Sequence, residues 1–379
     1  MSKLALSSKE PAPPAVDGDA LHPASAAPEP PSAAGPRLGR ILHGLLWSGL
    51  AGLIAAIAVG VWGDWRQLAS AFGHFTWTAF PIALGLTLVN AGLRFIKWHY
   101  YVHRIGARPK LTDSLLIFVA GFAMSVTPGK TGEFLKAYLL WRRCGAPAWK
   151  AAPITLAERT TDGFAILLLA GLGVTILTRS PIWVAGTAVL AAAGCLALAA
   201  LGASAAPGKE WRLPGALGPL ASRLAARAKV AALVARLRES GHGASAILDP
   251  RSLVFAVALG TVSWSAESVA LWNTLAAFGQ PPSLALLGSA LAALNAGTLA
   301  GAASLLPGGA GAAEATIAGV LVQATDRQVA AAATLIIRLC TIWFGAVLGI
   351  IALFLLRDSL APPRASPAGQ GRTTSPPPE

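Results

Sequence analysis

Apolar residues arrive along this chain in long uninterrupted blocks, without the alternation of a half-buried strand or the one-sided stripe of a surface helix. From Ile41 to Gly63 there is no charged residue at all, and about 20 helical residues suffice to cross a bilayer core. Blocks of the same kind recur at about residues 78–102, 152–178, 181–204, 252–278 and 328–356. Two more apolar stretches, 111–142 and 284–322, are each cut near the middle by a Pro-Gly pair into halves of about 12–22 residues. Halves that short predict re-entrant segments. The expected fold is an all-α polytopic membrane protein with six full spans and two re-entrant helical hairpins, over residues 39–356.

Composition agrees. Of 379 residues 54% are hydrophobic and only 12% charged, against roughly 25% charged in a soluble domain, and the mean hydropathy is +0.59. A soluble enzyme is excluded as the default. Residues 1–38 are Pro/Ala-rich with scattered acids, and 357–379 are Pro/Ser-rich; both are expected to be disordered tails. The N-terminal tail lacks the basic start and immediate apolar core of a cleaved signal peptide, so the first block is read as a retained span. Cys144, Cys195 and Cys340 are odd in number and sit in or beside apolar segments, which implies no disulfide framework.

The few charges are lopsided, with 30 Lys+Arg against 17 Asp+Glu, formally +13. Alternating sides at each span places 22 of the 30 basic residues on one face, leaving only Arg66, Arg179 and Arg327 on the other and five at membrane depth. The positive-inside rule makes the rich face cytoplasmic, with both termini inside. That assignment accounts for the basic excess without nucleic acid. Residues 217–240 form a basic amphipathic stretch, either a helix on the anionic cytoplasmic leaflet or a connecting helix packed on the protein.

The two Pro-Gly breaks overlay. Ser125-x-x-Pro128-Gly129-x-x-Gly132 matches Ser304-x-x-Pro307-Gly308-x-x-Gly311 at an offset of 179, and the same offset carries Thr155-Leu156-x-x-Arg159 onto Thr334-Leu335-x-x-Arg338. Upstream, Arg94 and Gly106 align with Glu267 and Gly279 at an offset of 173. Two units result, at about 78–178 and 252–356, each a span, a broken hairpin and a span. Entered from opposite sides, they form an inverted repeat, the arrangement in which substrate sites lie near the midplane between discontinuous helices.

Ten charges fall at membrane depth: Arg94, Lys97, Lys130, Glu133, Glu158, Arg159, Asp162, Glu267, Glu314 and Arg338. An unpaired charge at the bilayer centre costs about 2.5–3.5 kcal/mol on insertion scales, so these must pair, face a wet cavity or bind a ligand. Arg94, Lys97, Trp98 and Tyr101 share one helical stripe, on which Lys97 is read as snorkelling to the interface. Glu158, Arg159 and Asp162 make a polar corner at the start of their span. Glu133 and Glu314 follow the Pro-Gly turns, where a carboxylate caps a helix N-terminus and a free N-terminus attracts an anion. Gly129-Lys130-Thr131 lacks the earlier glycine of a P-loop, since Met124 stands there. His99 and His103, four apart without an HExxH frame, are read as interfacial. No metal or other cofactor is expected.

The series Arg94…Trp98, Pro128-Gly129-x-x-Gly132-Glu133, Glu158-Arg159-x-x-Asp162, Pro307-Gly308-Gly309-x-Gly311-x-x-Glu314 and Arg338 resembles the lysylphosphatidylglycerol synthase transmembrane-region, or flippase-like, family. The resemblance implies an integral protein of the bacterial inner membrane that handles anionic lipids, including phospholipid and isoprenoid types. It does not imply lysylphosphatidylglycerol synthesis, because no aminoacyl-transferase domain follows the membrane part of this sequence. A lipid translocase is therefore expected rather than an enzyme. Its head-group site is expected at Arg94, Trp98, Pro128, Gly129, Gly132, Glu133, Glu158, Arg159, Asp162, Glu267, Pro307, Gly308, Gly311, Glu314 and Arg338, with membrane lipids as partners. Two alternatives stay open: a membrane enzyme acting on a lipid phosphate through Glu158 and Asp162, and a non-catalytic partner of a lipid-modifying enzyme.

Overall fold

The computed structural model of the protein describes residues 38–124, 135–146, 148–206 and 240–357. The two expected tails, nearly all of the amphipathic stretch 217–240, and the first Pro-Gly turn with Pro128, Gly129, Lys130, Gly132 and Glu133 lie outside these residues. Among the described residues all regular structure is helical: α1 Leu38–Trp62, α2 Trp65–Gly73, α3 Ala79–Arg104, α4 Leu111–Ala123, α5 Leu135–Cys144, α6 Ala148–Thr178, α7 Ile182–Ser204, α8 Pro250–Ala277, α9 Leu284–Ala303, α10 Ala312–Leu321, α11 Arg327–Arg338 and α12 Phe344–Leu355. A 3₁₀ turn at Pro307–Gly309 precedes α10, and a π-helical turn at Leu339–Trp343 joins α11 to α12.

Six helical segments are long and apolar enough to cross a membrane: α3, most of α6, α7, α8, α9, and α11 continued through α12. Six is the expected number, but the set differs. α9, read from sequence as half of a hairpin, runs 20 residues without interruption, about 30 Å. α1, an apolar helix 25 residues long, covers the first expected block. Half-length helices do flank both breaks, with 13 residues in α4, 10 in α5 and 10 in α10.

Local sequence sets the ends. Asp249 caps α8, accepting the Ser252 N–H at 3.0 Å with Pro250 in the first turn, and Ser283 caps α9, accepting the Leu286 N–H at 3.1 Å. Such caps satisfy amides that have no partner inside the helix. Gly106 and Gly279, with φ of 85° and 81°, take the left-handed position just beyond α3 and α8, where a side chain would be strained.

α9 is the most enclosed of the six, and its composition explains why. Lipid is as apolar as leucine, so membrane helices associate through close packing of small residues. A Cβ on Gly173 of α6 would come within 2.5 Å of the Ala292 amide nitrogen, and one on Gly297 within 2.4 Å of Ile317. α12 lies equally close on α4, where a Cβ on Gly349 would fall 2.1 Å from the Ala123 nitrogen.

α3 and α8 pack antiparallel along their whole length, joined by Asn273 Nδ2 donating to the Ala79 carbonyl at 3.0 Å and by the Tyr100 and Ser252 hydroxyls, 2.8 Å apart. At one end Arg104 Nη2 meets Asp249 Oδ2 at 2.9 Å. At their centre the joint is reciprocal. Asn90 Nδ2 donates to the Ser263 carbonyl at 3.0 Å, and Ser263 Oγ donates to the Asn90 carbonyl at 3.3 Å. α1 and α7 stand at the periphery with exposed Leu46, Leu53, Trp183, Leu190, Leu196 and Leu201, an apolar surface suited to lipid and too large for a soluble protein.

Candidate functional site

A cavity partly open to the surroundings lies among α3, α6, α8, α9 and the α11–α12 segment. Its wall carries Arg94 from α3, Arg159 from α6, Glu267 from α8, Gly308 from the 3₁₀ turn and Arg338 from the end of α11. These residues are separated by up to 244 positions in sequence, and all five were singled out by the motif reading. A second cavity shares the Arg159 wall and adds Asp162.

The remaining predicted residues that the structure describes stand behind these walls. Trp98 is fully buried and faces neither cavity; its ring lies under Lys136, with Nζ 4.7 Å from the ring centroid. Glu158 accepts from Lys136 Nζ at 2.6 Å. Glu314, Pro307 and Gly311 belong to the support of Arg338 and the Pro-Gly turn.

That support is specific. Glu314 Oε2 accepts the Gly311 N–H at 2.7 Å, while its Oε1 accepts Arg338 Nε at 2.7 Å. Arg338 Nη2 donates to the Gly308 carbonyl at 2.7 Å. One arginine thus ties the turn to α11, and one carboxylate both caps α10 and holds the arginine. Glycine is required in the turn: Gly308 and Gly309 have φ of 62° and 69°, and a Cβ on Gly309 would lie 2.8 Å from the Gly301 Cα. Immediately after Arg338 the helix widens into the π turn, whose Thr341 and Ile342 continue the cavity wall. Single π turns of this kind are frequent at functional sites.

On the opposite side, Asp162 pairs with Lys97 Nζ through one carboxylate oxygen, and its other oxygen lies 3.4 Å from Arg94 Nε. The Arg94 guanidinium sits between aromatic faces, 5.7 Å from the Phe122 centroid and 5.5 Å from that of Trp264, an arrangement favourable to a partly desolvated cation.

Two sequence expectations need correction here. Lys97 does not snorkel to the interface; it is 1% exposed, because Asp162, 65 positions away, neutralises it inside. Lys136, counted among the cytoplasmic charges, is 3% exposed and paired with Glu158. Each lysine lies beside a glycine: a Cβ on Gly121 would come 2.8 Å from Lys136 Cδ, and one on Gly260 would be 3.5 Å from Lys97 Nζ. His99 Nδ1 lies 2.8 Å from Ser114 Oγ, and no cluster of three or more His, Cys, Asp or Glu side chains fit to hold a metal occurs among the described residues.

Residues 49–349 match the family described as the lysylphosphatidylglycerol synthase TM region. The chain belongs to that family. The match extends over both broken stretches and every residue of the two cavity walls. With six apolar helices of crossing length, membership makes this a multi-pass membrane protein of a lipid-handling family. No curated protein matches the chain. Within the family match, the aromatic walls Phe122 and Trp264 and the Lys136–Glu158 pair were not found by sequence reasoning. Spacing reveals neighbours on one helix, whereas these contacts join different ones.

Proposed function

We propose that this protein is a lipid translocase of the inner membrane, binding the anionic head group of a phospholipid or isoprenoid-type lipid in the first cavity. The observation that carries the reading is the convergence of Arg94, Arg159 and Arg338, from three different helices, on one cavity within the membrane segment. Charge at membrane depth is costly and is retained for a partner or a ligand. Arg94, Arg159 and Arg338 are the proposed head-group contacts.

Movement of the head group is proposed to follow from the inverted repeat. Asn90 and Ser263 are 173 positions apart, the offset that also relates Arg94 to Glu267 and Gly106 to Gly279. In an inverted repeat, equivalent residues on an antiparallel helix pair would meet on the local two-fold axis, and the Asn90–Ser263 contact supports that reading. Arg159 and Arg338, equivalent at an offset of 179, reach the same cavity from the two halves. Both termini are cytoplasmic in this proposal, and rocking of one half against the other opens the cavity to each side in turn.

The test is transport in liposomes. Reconstituted wild-type protein is expected to move a fluorescent phosphatidylglycerol between leaflets, read by its loss to a membrane-impermeant quencher. Arg159→Ala is expected to slow this by roughly tenfold or more, the worth of about 1.4 kcal/mol or more of a charge-assisted hydrogen bond. Normal folding with transport at the wild-type rate in both Arg159→Ala and Arg94→Ala would refute the site.

A further inference from the structure

We infer that the second cavity is a slot for the hydrocarbon chain of the same lipid, opening sideways into the bilayer; this rests on the head-group reading of the first cavity. The two cavities share a wall made by Arg159, Trp264, Thr298, Gly301 and Ala302. Beyond that wall the lining changes character. Leu156, Ile166, Leu299, Leu305 and Leu306 make the second cavity largely apolar, with about 1010 Å³ of unfilled space that is partly open.

The rim identifies what the opening faces. Leu156, Leu305 and Leu306 are 64%, 66% and 48% exposed. Leu156 stands about 12 Å into α6, counting 1.5 Å per residue, on a helix long enough to cross a membrane, and Leu305 and Leu306 follow the end of α9. Leucines exposed on and beside crossing helices suit lipid rather than water. An amphiphile whose anionic group sits against Arg159 therefore finds, on one side, a polar cavity for its head and, on the other, an apolar exit for its tail. A free phosphate or a soluble anion would use the first cavity only.

The slot guides the chain rather than binding it tightly, because moving a hydrocarbon tail from bilayer to leucine gains almost nothing. Its contribution is access. Gly163 supplies a clean way to close it. This residue lines the second cavity and not the first, and a Cβ there would meet no atom within 4 Å. A methyl at 163 is thus accommodated and larger side chains extend into the slot from there, while glycine is itself unfavourable inside a helix.

The experiment uses full-length protein in phosphatidylglycerol nanodiscs containing a phosphatidylglycerol with a photoreactive diazirine midway along one acyl chain, followed by peptide mapping. Adducts are expected on Leu156, Leu305 or Leu306. Across Gly163→Ala, Gly163→Leu and Gly163→Trp their yield is expected to fall in steps, by roughly tenfold at the largest, the scale of misfitting methylenes in a pocket. Glycerophosphoglycerol, the same head group without chains, is expected to protect Arg159 from a guanidine-modifying reagent equally in wild type and in Gly163→Trp. Adducts confined to the outer faces of α1 and α7, or unchanged by Gly163→Trp in protein of wild-type melting temperature, would overturn the slot. Failure of the soluble head group to protect Arg159 in wild type would instead overturn the head-group reading, since the adduct pattern is measured without it.

Discussion

Removing the carboxylate of Glu158 should destabilise the protein more than any surface change, and removing its partner as well should restore most of the loss. Lys136 Nζ lies 2.6 Å from Glu158 Oε2, with side-chain exposures of 4% and 2%. In Glu158→Leu the lysine is left charged and enclosed. Breaking a buried ion pair from one side costs about 3–5 kcal/mol, and a lone lysine at the bilayer centre costs about 2.5–3.5 kcal/mol on insertion scales. The rings of Trp98 at 4.7 Å and Phe118 at 5.6 Å lie by the ammonium before and after the change, so their attraction to it cancels in the comparison. A net loss of about 3 kcal/mol follows. In Lys136→Met/Glu158→Leu no charge remains and the volumes are similar, so the double variant should recover to within about 1 kcal/mol of wild type. Unfolding of purified detergent-solubilised protein, followed by tryptophan fluorescence at one scan rate for all three proteins, gives the comparison. A double variant as unstable as Glu158→Leu would show that the pair is not what Glu158 holds in place.

Other consequences are smaller or more local. Gly349→Ala pushes a methyl into the Ala123 backbone, an overpacking expected to cost about 1–3 kcal/mol, visible as a lower melting temperature. Arg338→Lys should fail to replace arginine, because one ammonium cannot match Nε on Glu314 and Nη2 on the Gly308 carbonyl together; an engineered Ala310→Cys should then react faster with a maleimide than in the wild-type background. Leu305 holds φ at 56°, so Leu305→Gly should relieve about 1–2 kcal/mol of left-handed strain, less glycine's added entropy in the unfolded chain, and should not lower the melting temperature. Asn90→Ala and Ser263→Ala each remove one interhelical hydrogen bond, and each should cost only about 0.6 kcal/mol, the average measured for such bonds between membrane helices.

Much of this architecture is legible in sequence because the bilayer simplifies the code. A block without charge from Ile41 to Gly63, or a Pro-Gly pair inside an apolar stretch, has few alternative explanations at membrane depth. Charge scarcity also made the candidate site visible, for Arg94, Arg159, Glu267 and Arg338 stand out only against an apolar background. What escaped are quantities set by tertiary partners. Counting toward the Pro-Gly break at 307 stopped α9 short of a crossing element, although its helix continues through Ala303. Lys97 looked interfacial and Lys136 cytoplasmic because their carboxylates lie 65 and 22 positions away. Gly121 and Gly260 carry a usable signal after the fact: a small residue in a membrane helix marks where something bulky passes, and here that is a lysine stem. The contact of Asn90 with Ser263 was within reach too, since it repeats the offset already found for Arg94 and Glu267.

The reciprocal joint between Asn90 and Ser263 acts as a key that fits in one register only. Each side chain takes the other helix's backbone carbonyl, so neither helix can slide or turn without breaking both bonds. Arg94 and Glu267 stand four residues further along the same two helices, on the same faces, about one turn away. The joint and the cavity charges therefore share one variable. Inserting a single residue between 90 and 94 would swing Arg94 by about 100° around α3 while leaving the joint intact, whereas an insertion before 90 would keep joint and charge together and displace the Ala79 contact with Asn273. Length changes between 90 and 94 should thus be far less tolerated than substitutions there, and the spacing between key and charge is as much a part of the candidate site as the charges themselves.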